Sequence, residues 1–436
     1  MKNKLVYFFS VFSLFSCSKK NLIPNPIESN VKNITIEVAT NFVGPCEPSI
    51  SINPKNKKHI VGGSVLNNVY YSHDGGKKWH VDKISSSHGV YGDPVVRYLS
   101  NGSVLYAHLS NPENKAFASD SFLDKIVVQK SNDNGKTWSD GSFPKVNASK
   151  DHDKHWLATG ENDGEVIMTW TEFDSYGSKD KNCTSKILFS KSMDYGDTWT
   201  DAVTINQFYG DCIDSDGTTE GAVPAIGVKG EYYVAWALND KIYLDISKDK
   251  GKSWLAQDLV IADQIGGWDI DIPGIGRANG MPITEVDHSH SPYRGTIYVN
   301  WSDQRNGDDN TDIWLVKSSD GGESWSQPIK VNDDDTNRHQ FFSWMDVDPK
   351  TGYIYIVFYD RRNHENIDTD VYLAYSTDGG DHFTNVKISE TPFTPNPQIF
   401  FGDYNDISAY DGQIRPIWTR LDGFKLSVLT ALIEHK

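Results

Sequence analysis

Apolar residues along the chain recur in short runs rich in β-branched and aromatic side chains, and Gly, Asp, Asn and Ser fill the gaps between them. Four of the clearest runs are EVIMTWTEF (165–173), EYYVAWAL (231–238), TIYVNWSD (296–303) and YIYIVFYD (353–360). Runs of this length and composition predict β-strands. No stretch keeps the apolar period of an amphipathic helix, so very little helix is expected.

One eight-residue turn returns along the chain, and its copies are SHDGGKKW (72–79), SNDNGKTW (131–138), SMDYGDTW (192–199), SKDKGKSW (247–254), SSDGGESW (318–325) and the weaker STDGGDHF (376–383). Their first serines are 59, 61, 55, 71 and 58 residues apart. In each interval two strand candidates precede a third that enters the turn, and a fourth leaves it. Four antiparallel strands per repeat predict the blade of a β-propeller.

The number of blades follows from the segments outside the six turns. After Phe383 there are 53 residues, with three further strand candidates at 404–410, 413–420 and 425–433. One more strand candidate, 33–42, precedes the first blade. Together these four would complete a seventh blade, and residues 32–436 then give about 58 residues per blade. The sequence therefore predicts one all-β domain, a seven-bladed propeller closed by an N-terminal strand, with six blades as the fallback.

The N-terminus has the plan of an export signal. Lys2 and Lys4 precede an apolar run that ends at Phe15, and the sequence LFSC resembles a bacterial lipoprotein processing box with Cys17 as the lipidated residue. Residues 1–17 are thus expected to be a signal peptide and 18–31 a flexible tether. This predicts a lipid-anchored protein of the bacterial cell envelope, at the outer membrane; a plain secretory signal is the alternative.

The net charge and the positions of the cysteines limit which partners, disulfides and metal ions are expected. The net charge is −17 and no Lys/Arg-rich tract is present, which argues against a nucleic-acid partner. Cys183 and Cys212 flank neighbouring strands and are the expected disulfide pair, which leaves Cys46 free. No cysteine spacing fits a zinc site, and neither a catalytic metal nor a cofactor is expected. The acidic segments 211–217 and 332–335 could hold at most a structural Ca²⁺.

The repeated turn S-x-D-x-G-x-[ST]-W resembles the Asp-box, also called the bacterial neuraminidase repeat. Ser, Asp and Gly suit a tight turn, and the Trp can wedge between blades. The resemblance implies a propeller and places the turn on the face opposite the functional one. The box aspartates are therefore expected to be structural: Asp74, Asp133, Asp194, Asp249, Asp320 and Asp378.

On that functional face the innermost strands of a propeller begin around the central channel. The polar residues at those starts are Glu47, Asp93, Asp153, Lys154, His155, Glu220, Arg277, Asn279, Arg338, His339, Gln340, Asp403 and Tyr404. We expect them to converge, although a ring of structural carboxylates would produce the same pattern.

Sialidases belong to the wider Asp-box group, and they use a Tyr nucleophile assisted by Glu, an Asp acid/base and three Arg. The resemblance implies that Tyr404 and Glu220 form the Tyr–Glu pair and that Asp153 or His155 is the acid/base. The other predicted substrate-binding residues are Glu47, Asp93, Arg277, His339 and Asp403.

The chain also departs from that pattern. The Arg-Ile-Pro signature of the first inner strand is absent, and Cys46-Glu47-Pro48-Ser49 stands in its place. A Glu there would repel sialic acid, so a neutral or cationic sugar is expected instead. The prediction is a monomeric, sialidase-like glycoside hydrolase, or a close relative, that acts on cell-surface or environmental glycans. The alternatives are a non-catalytic propeller that binds glycan or protein and a polysaccharide lyase with a His/Tyr pair.

One further motif is shared by blades five and six. Asp303 and Arg305 are two residues apart, as are Asp360 and Arg362. Because the spacing repeats, both are expected to be ion pairs that fix a loop. Arg361 has no counterpart in blade five.

Overall fold

The structure is a computed structural model that describes residues 27, 31–40, 44–160 and 164–435. The predicted signal peptide, Cys17 and most of the predicted tether lie outside these residues. Within the tether, Ile27 is described and is buried. Among the described residues, no helix is long and apolar enough to span a membrane.

The first strand of the chain, β1 (Lys32–Val38), is followed by six small antiparallel sheets in sequence order. Blade 1 contains β2 (Ser49–Ile52), β3 (Ile60–Ser64), β4 (Asn68–Ser72) and β5 (His80–Lys83). Blade 2 contains β6 (Val95–Tyr98), β7 (Val104–Leu109) and β8 (Ile126–Ser131), with a short 3₁₀ helix at Ala116–Ala118. Blade 3 contains β9 (Asp151–Thr159), β10 (Val166–Phe173), β11 (Ser185–Ser192) and β12 (Val203–Thr204).

Blade 4 contains β13 (Glu220–Ile226), β14 (Tyr232–Leu238), β15 (Lys241–Ser247) and β16 (Leu259–Asp263). Blade 5 contains β17 (Ile283–Val286), β18 (Ile297–Asp303), β19 (Asp312–Ser318) and β20 (Ile329–Lys330). Blade 6 contains β21 (Gln340–Val347), β22 (Ile354–Asp360), β23 (Asp370–Ser376) and β24 (Thr384–Lys387).

The seventh blade joins the two ends of the described chain. It contains β25 (Asp406–Tyr410), β26 (Gln413–Asp422) and β27 (Lys425–Glu434), and β1 pairs with β27 as its outer strand. The inner strands β2, β6, β9, β13, β17, β21 and β25 pack side by side in that order, and β25 returns to β2. The predicted seven blades and the closing N-terminal strand are therefore confirmed.

Blade 2 differs from the prediction of four strands in every blade. Beyond its turn the chain makes only an isolated bridge between Val128 and Ser142, and no fourth strand forms in this described segment. Pro144 follows two residues later and has no N–H to extend the ladder.

The interior between the blades is aromatic and aliphatic. Trp156, Trp170, Trp236, Trp301, Trp344 and Trp418 are almost completely buried. Strands β14, β18 and β22 are buried at every position, because each is covered on both faces by neighbouring blades. These strands correspond to three of the apolar runs noted in the sequence, 231–238, 296–303 and 353–360.

Candidate functional site

The six repeated turns join the third and fourth strands, or their equivalents, and lie on the face opposite the starts of the inner strands. The Ser192 turn shows the chemistry that the copies share. Asp194 accepts hydrogen bonds from the Ser192 hydroxyl at 2.7 Å and from the backbone N–H of Thr198 at 2.8 Å. The N–H of Gly196 donates to the Ser192 hydroxyl at 2.9 Å. These groups bond one another within the turn, so the turn is self-contained.

A different arrangement occupies the face where the inner strands begin. Eight ionisable side chains from six of the seven blade entrances come together there and are called the central cluster: Glu47, Asp93, Asp153, Lys154, Asp214, Glu220, Arg277 and Asp403. All but Asp214 were predicted from their places at the strand starts. Lys154 and Arg277 are its two cations.

Asp403 is the anion that both cations share. Its carboxylate lies 2.5 Å from the Lys154 ammonium, and it accepts a hydrogen bond from Arg277 Nε at 2.9 Å. The Asp403 side chain is fully buried. Burial by itself raises the pKa of Asp403, but Arg277 and Lys154 outweigh that effect and hold the pKa below its ordinary value. Asp403 is therefore a permanently charged centre.

Each cation also holds a second carboxylate nearer to solvent. The Lys154 ammonium lies 3.5 Å from Asp93 Oδ2, and Arg277 Nη1 donates to Asp214 Oδ2 at 2.7 Å. The side chain of Asp93 is 14% exposed, whereas that of Lys154 is 5% exposed. The Tyr176 hydroxyl donates to the same Asp214 oxygen at 2.7 Å.

For Glu47, Glu220 and Asp153 the pKa is raised, which favours the protonated form. Burial, followed by like charges nearby, raises the pKa of Glu47 and of Glu220 well above the ordinary value. Burial and the Asp93 charge raise the pKa of Asp153 to about 7, although Lys154 opposes this. Both carboxyl oxygens of Glu220 are buried without a hydrogen-bond partner. An unpaired buried carboxyl is costly, and such groups concentrate at functional sites.

The backbone of the cluster is strained. Glu47, Asp93, Lys154 and Asp214 all have φ between 48° and 56°, the left-handed region that non-glycine residues seldom adopt. Each such residue costs of order 1–3 kcal/mol and persists only where its surroundings enforce it. Gly402, at φ +93°, lies so close to Glu47 that a Cβ would be 2.8 Å from its Cγ. The strain turns these side chains toward one another.

Tyr404 does not join the cluster in the way the sialidase resemblance implied. Its hydroxyl is directed to the carbonyl of Pro94 at 3.4 Å, and its ring packs against Trp156 at 5.0 Å and Trp344 at 6.0 Å between ring centroids. Burial, followed by Asp93 and Glu47, raises its pKa well above the ordinary value. Both Glu220 oxygens lack a partner, so the expected pair with Tyr404 is not formed.

The two predicted histidines are separate from each other. Burial lowers the pKa of His155 and of His339 to about 4 in each case, so both are neutral at pH 7. His339 Nδ1 shares a hydrogen bond with the Thr311 hydroxyl at 3.0 Å. No hydrogen bond within the described chain connects either histidine to Tyr404, the His/Tyr pair that a lyase would need.

The predicted ion pairs of blades five and six are present. Arg305 Nε donates to Asp303 at 2.9 Å, and Arg362 Nε donates to Asp360 at 2.8 Å. Arg361 is buried against the Phe341 ring, and burial lowers its pKa to about 10. Arg361 makes no ion pair with a described carboxylate and bonds the Thr369 hydroxyl at 3.0 Å.

The disulfide between Cys183 and Cys212 links two loops beside the cluster. One loop carries Tyr176 and the other carries Asp214, and the N–H of Gly177 donates to the carbonyl of Cys212 at 2.7 Å. The disulfide thereby helps to hold the hydrogen bond between Tyr176 and Asp214. Cys46 is buried and free.

The segments considered for calcium use their oxygens for other contacts. Asp211 accepts from the Thr218 hydroxyl at 2.7 Å, and Asp333 binds Arg362 Nη1 at 2.5 Å. Among the described residues, no group of three or more His, Cys, Asp or Glu side chains is arranged to hold a metal ion.

Sequence reasoning missed the role of two residues in this site. Asp214 was considered only as a calcium ligand within DCIDSDG, and Tyr176 was not singled out. Both residues lie in long loops, where residue type alone does not show which way a side chain points. The expected disulfide between Cys183 and Cys212, which joins these two loops, was the one indication in the sequence that they lie close together.

Comparison with known proteins agrees with the repeat and the fold. A family model for the BNR/Asp-box repeat matches residues 70–81, around the first turn. No curated protein sequence matches the chain.

Three solved structures are similar over most of their length. A protein of unknown function from Dyadobacter fermentans has 13% identity and a TM-score of 0.50, and the match covers 95% of this chain and 100% of that one. An α-L-arabinofuranosidase from Fusarium graminearum, in complex with an iminosugar inhibitor, has 14% identity, coverages of 94% and 98%, and a TM-score of 0.51. The NanB sialidase from Streptococcus pneumoniae has 12% identity, coverages of 86% and 83%, and a TM-score of 0.50.

At these identities the likeness establishes the fold. The chain is a seven-bladed β-propeller with a BNR/Asp-box repeat matched at residues 70–81, and its fold is also that of the arabinofuranosidase and the sialidase named above.

Proposed function

We propose that the protein is a glycoside hydrolase of neutral glycans in which Asp153 is the general acid and Asp93 is the opposing carboxylate. The strongest support is that Asp153 and Asp93 lie in one cluster but in different environments. The pKa of Asp153 is raised to about 7, whereas Asp93 lies beside the Lys154 ammonium. Glycoside hydrolysis requires two carboxyl groups in different environments, one that gives a proton and one that accepts it.

In this reaction Asp153 donates its proton to the glycosidic oxygen as the bond from that oxygen to the anomeric carbon breaks. A water molecule forms the new bond to the anomeric carbon and gives its proton to Asp93. The developing positive charge on the sugar is stabilised by the surrounding carboxylates. Lys154 and Arg277 hold Asp403 and Asp93 in place, so they are positioning residues.

The charges of the cluster favour a neutral sugar over an acidic one. Six carboxyl groups surround two cations, and both cations are engaged: Arg277 with Asp403 and Asp214, and Lys154 with Asp403 and Asp93. No arginine of the cluster is left to bind a sialic acid carboxylate. This supports a different substrate class from that of sialidases on a related scaffold.

The test is hydrolysis of 4-nitrophenyl glycosides of arabinofuranose, xylose, galactose, glucose and mannose, with a sialoside alongside. We expect turnover of at least one neutral glycoside and a loss of about 10²–10⁴-fold in kcat for Asp153→Asn. Asp245→Asn is the matched control, because burial also raises the pKa of Asp245 to about 7, but it lies on β15 outside the cluster.

Tyr404→Phe separates this mechanism from the sialidase one. It removes only the hydroxyl, and we expect it to keep activity near that of the wild type. Loss of turnover in Tyr404→Phe, with turnover retained in Asp153→Asn, would overturn the proposal.

A non-catalytic glycan-binding propeller is the second candidate. It is favoured by the burial of the cluster, since Glu47, Lys154, Glu220 and Asp403 are each no more than 4% exposed. Binding of neutral oligosaccharides without turnover of any glycoside would favour this candidate.

A further inference from the structure

A group of aromatic side chains, one of them strongly exposed, lies beside the central cluster. It consists of Tyr91, Phe117, Phe122 and Tyr176, and is called the aromatic rim. Phe117 sits in the 3₁₀ helix at Ala116–Ala118 and is 71% exposed, the highest exposure among the large apolar residues described. A large apolar patch that stays in contact with water marks a candidate binding surface.

The four rings contact one another in sequence. The ring centroids of Phe117 and Phe122 are 4.7 Å apart, and those of Phe122 and Tyr91 are 4.5 Å apart. The planes of the Phe117 and Tyr176 rings are inclined by 29°, and their centroids are 6.5 Å apart. Three loops, before β6, between β7 and β8 and between β10 and β11, thus contribute to one aromatic surface.

The rim is joined to the central cluster at two points. The Tyr176 hydroxyl donates to Asp214, which is bound to Arg277. Tyr91 is two residues before Asp93, and burial followed by the Asp93 charge raises its pKa. A ligand on the rim would therefore extend directly from the carboxyl groups proposed to react.

The loop that carries Phe117 is tied down rather than loose. The Ser110 hydroxyl donates to Asp124 at 2.7 Å, and the N–H of Ala116 donates to the Asn111 side chain at 3.1 Å. The loop backbone that carries the exposed ring is therefore ordered by hydrogen bonds, which lowers the entropic cost of ordering the loop when a ligand binds.

We propose that the aromatic rim is a subsite for a second or third sugar ring of a neutral oligosaccharide chain bound at the central cluster. Aromatic faces stack on the apolar C–H faces of sugar rings, and the neighbouring carboxylates can accept hydrogen bonds from sugar hydroxyls. A protein partner fits less well, because one exposed ring, two half-buried rings and one buried ring form a surface far smaller than a stable protein interface. The inference rests on the proposed function, since it names that site's substrate as a chain of sugars.

The test measures binding by calorimetry in the Asp153→Asn background, which prevents turnover. The probes are arabinohexaose, xylohexaose, mannohexaose and cellohexaose, with the corresponding monosaccharides. We expect at least one hexaose to bind, and Phe117→Ala to weaken its affinity about fivefold to tenfold. Phe117→Trp should restore most of the affinity, since it restores a stacking ring.

Phe424→Ala is the matched control. Phe424 is also an exposed phenylalanine, at 57%, in the turn between β26 and β27 on the same face but outside the rim. Equal hexaose affinity in the Phe117 and Phe424 variants would overturn the inference, as would the absence of binding by every hexaose. Phe117-dependent binding by a wild-type protein that hydrolyses nothing would uphold the subsite and overturn the hydrolase.

Discussion

The two faces of the propeller use aspartate in opposite ways. On the face of the repeated turns, Asp74, Asp133, Asp194, Asp320 and Asp378 make the same contacts with nearby backbone N–H groups and a serine hydroxyl. On the other face, Asp93, Asp153, Asp214 and Asp403 differ from one another in partners and burial, and the pKa is raised for Asp153 and lowered for Asp403. The first face repeats one hydrogen-bonded turn, and the second brings residues from distant parts of the sequence into one site.

The difference separates structure from function by a physical criterion. Hydrogen bonds within the turn lower the pKa of Asp194 despite the opposing effect of burial, so the charged form is stable where it stands. Glu220 has no partner, and burial raises its pKa. A buried carboxyl group without a hydrogen-bond partner destabilises the fold, so its presence indicates the functional face.

The largest expected effect is the loss of the shared anion on the functional face. Asp403→Ala leaves Lys154 and Arg277 buried without their common partner, and removing one side of a buried pair costs about 3–5 kcal/mol. We expect the free energy of unfolding in urea to fall by that amount. A loss under about 1 kcal/mol would mean that the cluster does not hold its blades together, which would weaken the contrast between the faces.

A smaller effect is expected on the face of the turns. Asp194→Ala removes one carboxylate from a turn that other blades repeat, and the lost hydrogen bonds are worth about 1–2 kcal/mol. The same urea titration measures it, with glycoside turnover expected to stay at the wild-type level. Loss of turnover in this variant would show that the two faces are coupled.

The smallest effect is the pH dependence at neutrality. Because the proposed acid must be protonated, kcat/KM should be about half its low-pH plateau near pH 7 and fall about tenfold per pH unit above that. A pH–rate profile between pH 5 and 9 measures this limb. A flat profile there would exclude Asp153 as the acid.

Stability gives a second readout of the raised pKa values, and its sign can be stated. Asp153 and Asp245 have folded-state pKa values of about 7, above the value in the unfolded chain. The unfolded chain therefore gains more from the ionisation of these two groups, and their contribution to stability falls as pH rises from about 4 to about 7, whereas buried histidines such as His155 and His339, with pKa lowered to about 4, contribute a rise over the same range. Asp245→Asn should flatten this fall without moving the activity limb.

The fold could be predicted from the sequence because its signals are local. The turn spacing marked six blades, and the strands left over at 33–42 and after Phe383 required a seventh. Blade 2 was predicted less well, since the effect of Pro144 on its fourth strand depends on the ladder around it.

The site could be predicted only in part. The places of Glu47, Asp93, Asp153 and Glu220 followed from where inner strands begin. Their partners did not, because Lys154 and Asp403 are 249 residues apart, and the left-handed backbone that directs these side chains has no simple sequence signal. Phe117 lies in a loop whose position depends on contacts with another blade.

The closing strand pair has a consequence for how the protein comes apart. A linear array of repeats can lose its terminal units one at a time. Here β1 lies against β27 from Lys32 to Val38, so each blade has a neighbour on both sides and the ring offers no terminal unit to lose. The packing of the inner strand β25 on β2 closes the ring as well. The seven repeats should therefore melt as a single cooperative unit.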